Sequence, residues 1–159
     1  MTDFRRLLEA LTTARVEFVV IGGIALVAQG HTRMTEDLDI CYRRTPENLE
    51  RLASALRPLA PTLRGAPPDL PFTLDARSLR SGLNFTLESA AGDIDLLGEV
   101  AGVGGYEQVS ADAEEIELYG ARVRIMSLAT LEVSKRAAGR AKDLADLEAI
   151  RELKRRGGA

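Results

Sequence analysis

The chain has 159 residues, of which 45% are apolar and 28% are charged, and its formal net charge is −3. This length suits one folded domain with a buried core, and the composition excludes a disordered or fibrous chain. The single cysteine excludes an internal disulfide, and one cysteine with one histidine excludes the usual structural zinc clusters. No apolar run approaches the roughly 20 residues of a membrane helix, and the charged N-terminus has no signal-peptide core, so we expect a cytoplasmic protein without a membrane partner.

The charges are distributed unevenly along the chain. Residues 88–119 contain nine acidic and no basic residues, whereas residues 134–159 contain eight basic and four acidic residues. Most of these charges are expected to lie on solvated faces, as charge blocks usually do. The basic C-terminal part could guide an anionic backbone, but seven aromatic residues and no tryptophan leave little surface for stacking nucleic-acid bases.

The first third of the chain predicts helices and strands in alternation. Residues 3–15 have apolar side chains at helical spacing, and residues 16–21 form an apolar, β-branched run that is typical of a buried strand. Two glycines then open a short apolar helix over residues 22–30. Residues 37–42 alternate acidic and apolar side chains, which predicts a strand, and a helix capped by threonine and proline follows over residues 46–57.

Proline dominates the next segment. Five of the six prolines of the chain lie between residues 58 and 71. Because proline lacks a backbone N–H and fixes its φ angle, residues 61–71 are predicted to be a loop over the surface and the most mobile part of the chain.

The second half predicts a hairpin, short strands and two helices. After a short helix at residues 75–80, residues 83–88 and 93–97 are predicted to pair across an Ala-Gly turn, and residues 106–110, 116–119 and 121–126 are read as a run of short strands. Two helices follow, separated by a glycine, at residues 127–138 and from about residue 142. The second helix is expected to turn four apolar residues inward: Leu144, Leu147, Ile150 and Leu153.

This order of elements predicts a mixed α/β (α+β) fold in which helices pack on a small sheet. We expect an α/β core over residues 1–126 and a C-terminal helical segment over residues 127–159, packed together as one domain.

Two acidic residues on one strand face suggest a metal site. In a strand, Asp37 and Asp39 point to the same face, where their charges repel unless a cation lies between them. Hard divalent ions such as Mg²⁺ favour carboxylate and phosphate oxygens. Gly22 and Gly23, at the preceding strand–helix junction, are placed to present backbone N–H groups to a phosphate. Together these features predict a nucleotide site.

These residues resemble the nucleotidyltransferase superfamily of the DNA polymerase β type. Three blocks carry the resemblance: GGIALVAQGHTRMTEDLDI, GDIDLLGEV and SKRAAGRAKDLADLEAI. Together they look like the small bacterial nucleotidyltransferase-like proteins related to the AbiEii toxin component. The likeness covers roughly residues 16–150 and is poorest over residues 61–80. It implies a nucleotidyltransferase-like sheet with packed helices, and transfer of a nucleoside monophosphate from an NTP to an acceptor hydroxyl with Mg²⁺ or Mn²⁺.

The resemblance also assigns the acidic residues and glycines. Asp37 and Asp39 match the metal-binding pair, and Asp95 matches a third carboxylate that helps to hold metal and draws the proton from the attacking hydroxyl. Gly22 and Gly23 match the position where backbone amides approach the triphosphate. Most members have Gly-Ser there, so this chain lacks a hydroxyl that usually touches phosphate.

Basic residues complete the predicted site. Lys135 matches a residue that neutralises the triphosphate, and Lys142 with Asp143 matches the Lys-Asp motif that follows it. Lys135 could equally be a solvated charge or an ion-pair partner of Glu132 or Asp143. Arg33 could bind phosphate or clamp the acidic strand.

Several alternatives remain open at this stage. Asp93 forms a second D-x-D with Asp95 but is expected at the turn, His31 is expected in a loop, and Cys41 is expected to be packed. The acceptor could be a tRNA end, a protein hydroxyl or a small molecule, and the protein could be the toxin of a toxin–antitoxin pair with an antitoxin partner. The main alternative function is a binding or regulatory module of the same fold with a decayed site. A D-x-D glycosyltransferase would need a larger domain.

Overall fold

The computed structural model describes residues 1–157, and within them the chain forms seven α-helices and seven strands. The helices are α1 (Phe4–Thr13), α2 (Gly22–Ala28), α3 (Pro46–Leu56), α4 (Ala76–Ser81), α5 (Tyr106–Ser110), α6 (Leu128–Ala138) and α7 (Ala141–Gly157). The strands are β1 (Phe18–Ile21), β2 (Asp37–Tyr42), β3 (Thr62–Leu63), β4 (Asn84–Ser89), β5 (Gly92–Leu97), β6 (Glu114–Leu118) and β7 (Ala121–Ile125).

The strands form one mixed sheet in the order β3-β4-β5-β2-β1-β7-β6. Strand β2 joins the parallel and antiparallel parts of the sheet, because it pairs antiparallel with β1 and parallel with β5. The apolar residues of β1 are all buried, as expected for a strand in the middle of the sheet. The predicted mixed α/β class and the β4–β5 hairpin are confirmed.

Local chemistry explains where the helices begin and end. The Thr45 hydroxyl accepts a hydrogen bond from the Asn48 N–H, with Pro46 at the first helical position of α3. Ser127 caps α6 in the same way. Gly139 then takes a left-handed φ of +64°, which ends α6 and lets the chain turn into α7.

Residues 106–110 were predicted as a strand, and this prediction is wrong: they form helix α5. The Gly105 N–H donates a hydrogen bond to Gln108 Oε1 at 2.8 Å, which holds the first turn. Tyr106 and Val109 are three residues apart and both buried, so the apolar spacing that matters here is helical rather than alternating.

The prediction that Leu144 faces inward is also wrong, because 59% of this residue is exposed. Leu147 and Ile150 are buried, and Leu153 packs partly against the core. The inward face of α7 is completed by Asp143 and Asp146 instead. Helical spacing alone favours leucine on that face, but the two carboxylates have cationic partners inside the fold.

The proline-rich segment is less irregular than predicted. Thr62 and Leu63 form the edge strand β3 and pair with Glu88 and Leu87 of β4. The backbone N–H of Arg64 continues this pairing by donating to the Thr86 carbonyl at 2.9 Å. The edge strand therefore fixes the start of the segment against the sheet.

The helices of residues 1–157 lack the combination of length and apolar character that crossing a bilayer requires. The longest of them, α7, carries charged residues along most of its length.

Candidate functional site

The register between β2 and β5 brings three carboxylates together. Asp37 and Asp39 project from the same face of β2, and the parallel pairing places Asp95 of β5 directly opposite Asp39. One carboxylate oxygen from each of the three lies within 4.8 Å of the others. Asp93 lies opposite Asp37 at the start of β5, and it is outside this group.

The negative charges of these three carboxylates repel one another. The pKa of Asp39 is raised from 3.8 to about 7, mainly by burial and in addition by the neighbouring charges of Asp95 and Asp37. Burial also raises the pKa of Asp95, although a hydrogen bond from the Arg64 guanidinium opposes this. Asp39 Oδ1 is buried without a hydrogen-bond partner among the described residues. A positive charge added beside the three carboxylates would therefore stabilise the cluster.

This donor set fits a divalent cation. Carboxylate oxygens are the ligands that Mg²⁺ and Mn²⁺ favour, and the unpaired Asp39 oxygen supplies one that no protein group occupies. A cation bridging Asp37, Asp39 and Asp95 would relieve the repulsion that raises the pKa of Asp39.

Gly22 and Gly23 leave room for groups on either side of the junction between β1 and α2. Gly22 has a left-handed φ of +68°, and a Cβ there would overlap the Asp39 carboxylate, whose Cγ would be 3.1 Å away. A Cβ on Gly23 would lie 2.8 Å from Thr35 Oγ1. Glycine at 22 therefore allows Asp39 to reach the centre of the site, and the Thr35 hydroxyl fills the space that a side chain at 23 would need.

A cavity of about 440 Å³ opens in front of the carboxylates. Its walls carry acidic groups from β2 and β5 and basic groups from α6 and α7. All nine residues predicted for the site line it: Gly22, Gly23, Arg33, Asp37, Asp39, Asp95, Lys135, Lys142 and Asp143. The structure brings them together, and their individual roles stay predictions.

The basic wall is held by buried ion pairs. Lys135 Nζ lies 2.9 Å from Asp146 Oδ2 and 3.5 Å from Asp143 Oδ1, and only 11% of its side chain is exposed. Arg33 Nη1 donates to Asp146 Oδ1 at 2.5 Å. Arg33 therefore forms its ion pair with helix α7 and not with the acidic strand, and its predicted role at the phosphate stays a prediction.

Asp143 and Lys142 differ in their surroundings although they are adjacent. Asp143 is fully buried, and its Oδ2 accepts hydrogen bonds from the Arg140 backbone N–H at 3.0 Å and from Arg140 Nε at 2.7 Å. Burial raises the pKa of Asp143, but these hydrogen bonds outweigh it and hold the pKa below its usual value. Lys142 is exposed and forms no ion pair with any residue between 1 and 157. Asp143 thus shapes the wall, while Lys142 is available to a ligand.

Sequence reasoning missed three residues at the site. Arg64 reaches the acidic cluster from the segment where the family resemblance is poorest. Asp146 holds both Arg33 and Lys135, and Thr35 faces Gly23. The spacing of Asp143 and Asp146, three residues apart on α7, was the one available signal that this helix has a charged inner face.

The remaining candidates behave as structural residues. Cys41 is fully buried, and burial raises the pKa of its thiol to about 12, so it is packed as predicted and has no thiolate character near neutral pH. His31 follows α2 outside any helix or strand, as predicted.

The fold is similar to that of a known enzyme. The lincomycin-bound crystal structure of the lincosamide antibiotic adenylyltransferase LnuA matches this chain with a TM-score of 0.61 and 13% sequence identity. The match covers 96% of this chain and 98% of that chain. At this identity the likeness establishes a nucleotidyltransferase-like fold. No protein-family model matches the chain and no curated protein does, so the closer resemblance to AbiEii-like proteins stays a prediction.

Proposed function

We propose that this protein is a metal-dependent nucleotidyltransferase, which moves a nucleoside monophosphate from an NTP to an acceptor hydroxyl. One observation carries the proposal: a strained carboxylate cluster and a basic wall face each other across a single cavity. Such a pair of walls suits a triphosphate with its divalent ion, since the ion needs oxygen ligands and the phosphates need cations. The fold of the adenylyltransferase LnuA supports the same reaction class.

In this proposal Asp37, Asp39 and Asp95 hold Mg²⁺ or Mn²⁺, which supplies charge neutralisation at the reacting phosphate. Asp95 accepts the proton of the attacking hydroxyl. The acceptor oxygen forms a bond to the α-phosphorus, the bond between that phosphorus and the bridging oxygen breaks, and pyrophosphate leaves.

The other wall binds the leaving part of the NTP. Lys142 is exposed at the cavity and has no partner within residues 1–157, so it is free to contact phosphate. Lys135 and Arg33 contribute positive charge while held by Asp146. The backbone at Gly22 and Gly23 lines the cavity, with the Asp39 carboxylate beside Gly22 and the Thr35 hydroxyl beside Gly23.

We propose a small hydroxylated molecule as the acceptor. LnuA, which this chain matches over 98% of its length, is named as a lincosamide antibiotic adenylyltransferase and has lincomycin bound, and this supports a small molecule as the acceptor. Apolar side chains also line the cavity beside the carboxylates: Leu97, Val100, Ala101 and Met126. A tRNA end or a protein hydroxyl would contradict this choice of acceptor but not the reaction. A toxin role with an antitoxin partner stays a prediction that gene neighbours would test.

One observation favours the alternative of a decayed binding module. Arg64 Nη2 already donates to Asp95 Oδ1 at 2.8 Å, so a protein cation neutralises part of the cluster. In a decayed site this pair would be permanent, and neither metal nor nucleotide would bind.

Melting temperatures decide between the two functions. They are measured with Mg²⁺ or Mn²⁺ alone, with each of ATP, CTP, GTP and UTP alone, and with every pair. Binding of the metal and the NTP is reciprocally coupled, so an enzyme of this kind gives a rise for the right pair that exceeds the sum of the separate rises. The base that gives the largest rise identifies the donor. A flat response to every pair would contradict the enzyme and leave the binding module.

A further inference from the structure

Arg64 enters the acidic cluster from the far edge of the sheet. It follows strand β3, and its side chain crosses the neighbouring strand β4, where Nη2 donates to the Leu87 carbonyl at 2.7 Å. The same nitrogen donates to Asp95 Oδ1 at 2.8 Å. The residue before it is held in the edge strand, so the position of the guanidinium is set by the sheet and not by a free loop.

The Arg64 guanidinium lies within 4 Å of three carboxylates. Besides Asp95, its Nη1 lies 3.8 Å from Asp37 Oδ2 and its Nε lies 3.4 Å from Asp93 Oδ2. The Arg64 side chain is 23% exposed, as is that of Asp95, so solvent screens this cluster only in part. Two of the three proposed metal ligands are therefore in contact with a permanent positive charge.

A divalent ion and this guanidinium compete for the same carboxylates, those of Asp37 and Asp95. An ion bound by Asp37, Asp39 and Asp95 would lie within a few ångströms of Arg64, and like charges at that range repel strongly in a partly buried site. The Asp95 carboxylate would share its negative charge between Nη2 and the ion, which weakens its hydrogen bond to Arg64.

We propose that Arg64 is a built-in counter-cation of the acidic cluster, which a divalent ion must displace from Asp37 and Asp95. This inference rests on the proposed function in that it takes these carboxylates as the metal ligands. Arg64 lowers the metal affinity of the nucleotide-free protein and stabilises its cluster. The site then fills with metal when the NTP brings phosphate oxygens and negative charge that favour the divalent ion over the single charge of Arg64.

Binding of Mn²⁺ to the nucleotide-free protein tests this without any reaction. The free Mn²⁺ signal in electron paramagnetic resonance gives the affinity of the full chain and of its Arg64→Gln and Arg64→Lys variants. Glutamine keeps an amide donor for the Leu87 carbonyl but removes the charge. Loss of a charge-assisted hydrogen bond that competes with the ion should tighten Mn²⁺ binding roughly tenfold or more in Arg64→Gln. Arg64→Lys keeps the charge with fewer donors and should lie between.

Arg122→Gln is the matched control. Arg122 also forms an arginine–carboxylate pair, with Glu115 at 2.6 Å, but on the exposed β6–β7 hairpin at the opposite edge of the sheet. Its Mn²⁺ affinity should equal that of the unmodified protein. Without metal, Arg64→Gln should melt at a lower temperature than the control, and added Mn²⁺ should raise its melting temperature more.

The outcomes separate this inference from the proposed function. Equal or weaker Mn²⁺ binding in Arg64→Gln, with clear binding in the unmodified protein, would contradict the displacement of Arg64 by the ion. It would leave the proposed metal site intact. If neither protein binds Mn²⁺, the metal site is wrong and the inference falls with it. If Arg64→Gln does not fold, Arg64→Lys decides, because equal or weaker Mn²⁺ binding in that variant is equally contrary to displacement.

Discussion

Both walls of the cavity contain carboxylates, but the two walls differ in how far these carboxylates are paired with cations. On the wall formed by β2 and β5, Asp37, Asp39 and Asp95 crowd together, and one buried oxygen of Asp39 has no partner among the described residues. Arg64 is the cation that reaches this wall, and it contacts Asp95 and, more distantly, Asp37.

On the wall formed by α6 and α7, each inner cation has a carboxylate partner. Asp146, which is 4% exposed, holds Arg33 and Lys135, and the fully buried Asp143 holds Arg140. The carboxylates of these pairs are buried, although the Arg140 side chain is 59% exposed, and removing a buried carboxylate leaves its cation without a partner.

This difference predicts that the acidic wall matters mainly for ligand binding and the basic wall mainly for the stability of the fold. The acidic wall carries a charge imbalance that an external cation can relieve, so substitutions there should alter ligand chemistry more than folding. The buried carboxylates of the basic wall are already paired with cations, so substitutions of these carboxylates should weaken the fold. Three experiments test this contrast, from the largest expected effect to the smallest.

Replacing both Asp37 and Asp39 by asparagine should abolish nucleotidyl transfer while the protein stays folded. The double variant keeps the size of both side chains but loses two of the three anionic oxygen ligands. Transfer of label from radiolabelled NTPs measures activity, and circular dichroism checks the fold. Asp69→Asn, in the exposed segment between β3 and α4, is the control and should keep full activity. Full label transfer by the double variant would remove the acidic wall from the mechanism.

Asp146→Ala should destabilise the protein by about 3 kcal/mol, at the lower end for a broken buried pair because Lys135 keeps Asp143. Urea unfolding measures this free energy. Glu148→Ala is the control on the same helix, since Glu148 pairs with Arg151 at the exposed surface and contributes little. If the two variants unfold at the same urea concentration, the basic wall is not held by its inner carboxylates and the contrast between the walls fails.

Asp39→Asn should stabilise the metal-free protein, and more so at higher pH. The native pKa of Asp39 is raised from 3.8 to about 7, so the native state holds a proton that the unfolded state releases between about pH 4 and pH 7. The unmodified protein therefore loses stability as pH rises through this window. Asparagine does not titrate, so the stability advantage of the variant should grow between about pH 4 and pH 7 and be about 1–2 kcal/mol larger at pH 8 than at pH 5.

Urea unfolding in the presence of a chelator measures this difference, with Asp69→Asn as the control for loss of an exposed carboxylate. The same difference at pH 5 and pH 8 would show that Asp39 is not strained by its neighbours, and the acidic wall would then resemble the basic one.

The acidic wall could be predicted largely from sequence because it depends on short-range rules. Alternation in a strand places Asp37 and Asp39 on one face, and the hairpin pattern predicts the strand that carries Asp95. The glycine pair at the strand–helix junction is equally local. These rules operate within a few residues of one another, so the tertiary structure had only to pair β2 with β5.

The partners of these charges were decided only by the tertiary structure. Arg64 lies 31 residues from Asp95 in sequence, and Arg33 lies 113 residues from Asp146. No local pattern links such positions. Helical spacing placed Leu144 inward, yet the fold turns it to solvent and buries Asp146 instead. Periodicity defines the faces of an element, whereas the cations that oppose a face across the fold determine whether burying a carboxylate there is favourable.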